Sequence, residues 1–168
     1  MCELKFFPIE NVAHLVQPDE FNELNLSSPA MEFFTDFKKH MPLTIEGSTP
    51  AIDVEMLMRK AHVKLKLVVD SSGEFIGTIS LDDLSEPEFM IRISQGFKLN
   101  DITVSDLMCP KRKIFALDVD ELEHATIGDI VSVLQRNGQQ HCLVVDRGNH
   151  HIRGLISASD VARRLHIP

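Results

Sequence analysis

The chain states one pattern twice, and that repeat constrains the fold more than any single motif does. Leu67-Val68-Val69-Asp70, a short turn, and Phe75-Ile76-Gly77-Thr78-Ile79-Ser80-Leu81-Asp82-Asp83-Leu84 form one copy. Leu143-Val144-Val145-Asp146, a slightly longer turn, and Ile152-Arg153-Gly154-Leu155-Ile156-Ser157-Ala158-Ser159-Asp160-Val161 form the other. The offset is 76 residues before the turn and 77 after it. Each copy must be one supersecondary unit that buries its apolar face on its neighbour.

The surrounding residues extend the copies in both directions. Leu43-Thr44-Ile45 reads as a strand, and Gly47-Ser48-Thr49-Pro50 as a turn opening a helix whose buried face carries Ile52, Met56 and Leu57. Lys64 to Asp70 and Phe75 to Leu81 are the arms of a hairpin. A helix is expected near Asp82, restarting at Ser85-Glu86-Pro87 and ending at Gly96. The second copy repeats the order with Ile114 to Leu117, a helix from Thr126 through Gln135, the hairpin Cys142 to Ser157, and a closing helix from Asp160. Each copy therefore reads β-α-β-β-α, in a mixed α/β (α+β) chain. The expected organisation is an extension over 1–28, a first repeat over 29–95 and a second over 96–168. Ser28-Pro29 signals a helix start, with Met31, Phe34 and Phe37 as its apolar stripe.

Composition narrows the function classes. At 168 residues and net charge −8, the chain lacks the basic footprint that nucleic acid requires. Its apolar runs are far shorter than a membrane span. Cys2, Cys109 and Cys142 form no close-spaced pair, which points to free thiols in a reducing compartment, and Cys142 lies in an apolar run. The first six residues lack a signal-peptide pattern, so a cytoplasmic location is expected.

Two copies, each with Val-Val-Asp, a turn and Gly-hydrophobic-hydrophobic-Ser-x-x-Asp, resemble a tandem pair of cystathionine β-synthase (CBS) domains over roughly residues 30–168. Ile102 to Met108 is similar to the Val-x-Asp-Leu-Met lead-in of such domains, with Thr35-Asp36-Phe37 as a weaker counterpart. The resemblance is to small stand-alone bacterial CBS pairs. It implies two repeats packed about a pseudo-two-fold axis, two clefts holding AMP, ADP, ATP or S-adenosylmethionine, and a homodimer formed through helices.

The resemblance also puts the family's ribose-binding acid on Asp83 and Asp160. A carboxylate there would accept from two ribose hydroxyls, while Ser80 and Ser157 would meet a phosphate at the helix start. The same Ser-x-x-Asp spacing is equally a capping box that needs no ligand, as at Thr126-Ile127-Gly128-Asp129. Lys38-Lys39-His40 and Lys111-Arg112-Lys113 precede the first strand of each copy. Lys39, Lys111, Arg112 and Lys113 would neutralise phosphate, or be a solvated basic loop. Arg163 and Arg164 follow Asp160 by three and four residues, placing one on its helix face as a phosphate clamp or a surface ion pair. His141 is either a ligand contact or a structural histidine at a strand start. Thr44, Ile45, Ile79 and Ile156 would wall the clefts for an adenine face, or pack the core. His150-His151 lacks the spacing of a metal site. The longer link Asp118 to Thr126, rich in acids, would border the second cleft and either close over a ligand or obstruct it.

No nucleophile–base constellation, Gly-rich phosphate loop, Cys-x-x-Cys or His-Glu-x-x-His is present. The expectation is a non-catalytic regulatory module that binds an adenosine-containing ligand and signals to a protein target. The alternative is a ligand-free dimeric scaffold, with the apolar Phe6, Phe7, Leu15, Val16 and Phe21 of the extension as a docking segment.

Overall fold

The computed structural model describes residues 3–16 and 25–165; Cys2, Pro18 and Phe21 lie outside them. The first repeat runs β2 (Thr44–Glu46), α1 (Ala51–Ala61), β3 (Leu65–Val69), β4 (Phe75–Ser80) and α2 (Glu86–Ser94). The second runs β6 (Ala116–Asp118), α4 (Val119–Leu122), α5 (Ile127–Asn137), β7 (His141–Asp146), β8 (His151–Ser157) and α6 (Ala158–Arg164). In both, the crossover helix makes the first strand pair parallel and the hairpin adds an antiparallel strand. The Asp that ends each Val-Val-Asp run organises the turn: Asp70 Oδ1 accepts from the Ser72 and Glu74 amides, and Asp146 Oδ1 from the Asn149 amide.

Each sheet is completed by a strand from the other half. β1 (Thr35–Asp36), ahead of the first repeat, pairs antiparallel with β8, giving the order β1-β8-β7-β6. β5 (Cys109–Pro110), ahead of the second repeat, pairs with β4, giving β2-β3-β4-β5. Bridges Pro29–Thr126 and Pro50–Thr103 repeat the crossing at the helix starts. The cores are crossed as well. Ala30, Phe33 and Phe34 pack with Ile127, Ile130, Val144 and Ile156, whereas Ile102, Val104 and Leu107 pack with Val54, Met58, Val68 and Ile79.

This crossing depends on two glycines. A Cβ on Gly154 would lie within 3.0 Å of the Thr35 carbonyl oxygen and the Phe34 ring, and one on Gly77 within 3.0 Å of the Cys109 carbonyl and Met108 Sδ. The two approaches also align the lead-ins. Leu107-Met108 corresponds to Phe33-Phe34, so the counterpart of Val104-Ser105-Asp106 is Ala30-Met31-Glu32, not Thr35-Asp36-Phe37. α3 (Val104–Leu107) begins with a Thr103–Asp106 capping box. Its counterpart is only the 3-10 turn Ala30–Glu32, not the longer helix expected after Pro29. Asp36 has a separate role: its carboxylate accepts from Arg153 Nε at 2.9 Å and Nη2 at 3.0 Å, with both side chains mostly covered.

Three further expectations change. Met56 and Leu57 are exposed on α1, whose buried residues are Ala51, Val54 and Met58. The chain turns through Leu81 to Leu84 and becomes helical at Glu86, not near Asp82. The acidic link Asp118 to Thr126 is anchored to the second core rather than being a bare loop. It contains α4, whose Val119 and Leu122 enter the second core while Asp118 caps the Asp120 amide. At two places histidine takes the left-handed conformation that glycine holds in the other repeat. His62 (φ 55°) ends α1 as Gly138 (φ 61°) ends α5, and His150 (φ 56°) sits in the second hairpin turn as Gly73 (φ 83°) does in the first.

Candidate functional site

The two Ser-x-x-Asp segments sit where β4 and β8 leave their sheets, and they behave differently. In the first repeat the motif closes on itself: Asp83 Oδ2 accepts from the Ser80 amide at 2.9 Å and Ser80 Oγ at 3.0 Å, while Ser80 Oγ accepts from the Asp83 amide at 3.2 Å. Here the capping geometry is realised, around a tight turn. In the second repeat Ser157 Oγ and Ser159 Oγ share a hydrogen bond of 2.9 Å instead. Asp160 Oδ1 accepts from Arg163 Nη2 at 2.6 Å on α6. That pair is exposed, Arg163 by 76%, so the ion pair contributes little to stability and can be exchanged for another partner. Arg164 also lies on α6; its side chain is outside the described residues.

His141 links this end of the second repeat to the first. It opens β7 opposite Ser157 on β8 and is half-buried. Burial pushes its imidazole below the ordinary value and the positive charge of Lys64 adds to that; Asp160 and Asp82 oppose it. Lys64 and Asp82 belong to the first repeat, so charged groups of both repeats converge on one imidazole. Neither was singled out in the sequence. No motif marks them; the repeat register shows only that Lys64 matches Gln140, their carbonyls accepting from the equivalent amides of Leu81 and Ala158. Cys142, next along β7, is half-buried and its thiol is pushed up by burial.

The remaining candidates separate into distinct groups. Ile79 and Ile156 have essentially no exposed surface and belong to the two cores, and Ile45 packs against the first. Core packing therefore accounts for all three. Lys39 follows β1 in a turn, its amide donating to the Asp36 carbonyl. Lys111, Arg112 and Lys113 form an exposed 3-10 turn after β5. Thr44 and Lys111 line a hollow of about 930 Å³ between the two sheets, which the Ser-x-x-Asp residues and His141 do not border. Among the described residues no cluster of three or more His, Cys, Asp or Glu could hold a metal ion, and no helix is long and apolar enough to cross a membrane.

Comparison with solved structures shows the same fold at low sequence identity. An uncharacterized conserved protein from Pyrococcus horikoshii is 20% identical, with a TM-score of 0.59 over 83% of this chain and 93% of that one. The CBS-pair protein CBSX2 from Arabidopsis thaliana is 21% identical, with a TM-score of 0.56 over 82% of this chain and 93% of its own. CBSX2 in complex with AMP aligns at 21% identity and a TM-score of 0.57, over 81% of this chain and 94% of that one. A search of curated protein sequences found no match. The CBS domain family matches residues 35–86 and 104–167, more than half of the sequence and both repeats. The chain belongs to the CBS domain family and is a tandem CBS pair.

Proposed function

We propose that this CBS pair is a non-catalytic regulatory module that binds an adenosine-containing ligand where His141, Ser157 and Asp160 meet Lys64 and Asp82. The observation that carries this reading is the second Ser-x-x-Asp segment, where Ser157 stands opposite His141 and the Asp160 carboxylate, held by an exposed Arg163, is accessible to a ligand. A ligand shifts an equilibrium only through its differential affinity for the two states, and contacts to both repeats supply such a difference. In this scheme Asp160 exchanges its exposed pairing with Arg163 for ribose hydroxyls, and Lys64 faces the phosphate. Asp83, whose Oδ2 is committed to Ser80, offers its other oxygen to a ligand at the first repeat. The AMP complex of CBSX2, a chain of the same fold, supports an adenine nucleotide as the ligand class. The free thiols Cys109 and Cys142 are consistent with work in the cytoplasm.

Calorimetric titration with AMP, ADP, ATP and S-adenosylmethionine tests the reading. Asp160→Ala and Asp83→Ala should each weaken binding by about 1–3 kcal/mol, the range for a lost hydrogen bond to a charged group. Unchanged affinity in both variants removes these carboxylates from the site.

The scaffold reading has one specific observation in its favour. Met56 and Leu57 on α1 and Met90, Ile91 and Ile93 on α2 are exposed, by 40–56%, on the first repeat's helices. These exposed apolar side chains support a homodimer in either reading. A dimer in sedimentation together with no heat from any of the four ligands would favour the scaffold.

A further inference from the structure

A hollow lies between the two sheets, and the Ser-x-x-Asp residues and His141 do not border it. Leu67, Val69 and Phe75 of the first repeat form one wall, and Leu143, Val145 and Ile152 of the second form the other. These residues occupy corresponding positions in the two hairpins, so the hollow lies along the relation between the repeats. At about 930 Å³ it falls within the range of small-molecule sites. Its polar groups are few: Thr44, the carboxylate of Glu74, Lys111 and the adjacent His150 and His151. A nucleotide placed there would leave most of its ring nitrogens and hydroxyls without partners, at a cost for each. A molecule with an apolar body and one anionic end asks for fewer partners: its body covers the aliphatic walls and its charge meets Lys111.

The hairpin turn beside the hollow adds a second observation. His150 is held in the left-handed conformation that the first repeat gives to Gly73, and both residues border the hollow. A non-glycine residue in that region costs backbone energy, which places an imidazole at the hollow where a relaxed turn would have glycine.

From this geometry we propose that the hollow binds an amphipathic carboxylate, its chain between the two sheets and its carboxylate on Lys111. Such a ligand would touch β3 and β4 on one side and β7 and β8 on the other, and so set the spacing of the repeats.

Titration of the full chain with decanoate tests this, with 1-decanol as the neutral counterpart. Saturable binding of one decanoate per chain is expected. Val145→Trp, which puts a bulky ring between the two walls, should weaken it at least 10-fold. Lys111→Met, a change at an exposed position, should weaken decanoate at least 5-fold and leave decanol unchanged. The proposal is overturned if decanoate does not saturate the wild type, if Val145→Trp or Lys111→Met binds decanoate as the wild type does, or if AMP displaces decanoate one for one. Decanoate binding that emerges only in a Phe6→Ser/Phe7→Ser chain would also overturn it, because the hollow would then be filled by the exposed N-terminal segment.

Discussion

Replacing Gly154 by alanine tests the crossed architecture at its tightest point. The added methyl would sit within 3.0 Å of the Thr35 carbonyl oxygen and two atoms of the Phe34 ring. The carbonyl is main chain and cannot swing aside like a side-chain tip. Phe34 is itself 8% exposed and fixed in the second core. Relief therefore requires β1 to move away from β8. Overpacking of this kind costs about 1–3 kcal/mol. Outward movement also strains the Phe37 amide to Arg153 carbonyl bond and the two-point contact of Arg153 with Asp36. Including part of that loss, Gly154→Ala should destabilise the chain by about 2–4 kcal/mol. In urea unfolding followed by circular dichroism, with a slope of about 2 kcal/mol/M, the midpoint should fall by about 1–2 M. Gly77→Ala, facing Cys109 and Met108, should act in the same direction on the other sheet. Midpoints unchanged to within about 0.3 M in both variants would mean that the lead-in strands do not lie where they are described.

Other consequences follow from the same geometry. Thr78 pairs with Cys109 across β4 and β5, so Thr78→Cys should form an intramolecular disulfide on oxidation, seen by peptide mapping; the chain-entropy stabilisation is about 3–4 kcal/mol. Asp36→Asn should lower stability by about 1–2 kcal/mol at pH 7, below the full worth of a charged hydrogen bond because the pair keeps some solvent contact. The Arg153 guanidinium holds the Asp36 carboxyl below the usual carboxylate range, so this stability is present above about pH 4. It is lost as pH falls through the folded-state value, and denaturant titrations of the two proteins should converge in acid. His62→Gly should raise the melting midpoint, by about 0.5–1 kcal/mol of stability, because it relaxes an exposed left-handed helix end; an unchanged or lower midpoint would contradict that.

The repeat was legible because its signals are local. Val-Val-Asp runs, hairpin turns and the Thr126 cap each declare themselves within ten residues, and the capping box at Thr126 and Asp129 forms as its spacing suggests. The crossing of the lead-ins was not legible. β1 and β5 are two residues each, too short for periodicity, and Asp36 meets Arg153 across 117 residues of sequence. Phe33-Phe34 and Leu107-Met108 perform the same packing with no identity, so spacing to Asp36 misaligned them. Val119 and Leu122 were hidden among Asp118, Asp120, Glu121 and Glu123, whose charges read as loop although the apolar pair is one helical turn apart. At the candidate site the motif led to Ser157 and Asp160 but not to Lys64 and Asp82. Their relevance arises only when the two repeats are brought together around His141.

Hydrogen–deuterium exchange with and without AMP most directly tests whether a ligand engages both repeats at once. AMP is expected to slow exchange together at Gln140–His141 and Ser157–Asp160 of the second repeat and at Lys64–Leu65 and Leu81–Asp83 of the first. Slowing confined to one repeat, or none at saturating AMP, would contradict a shared adenosyl site.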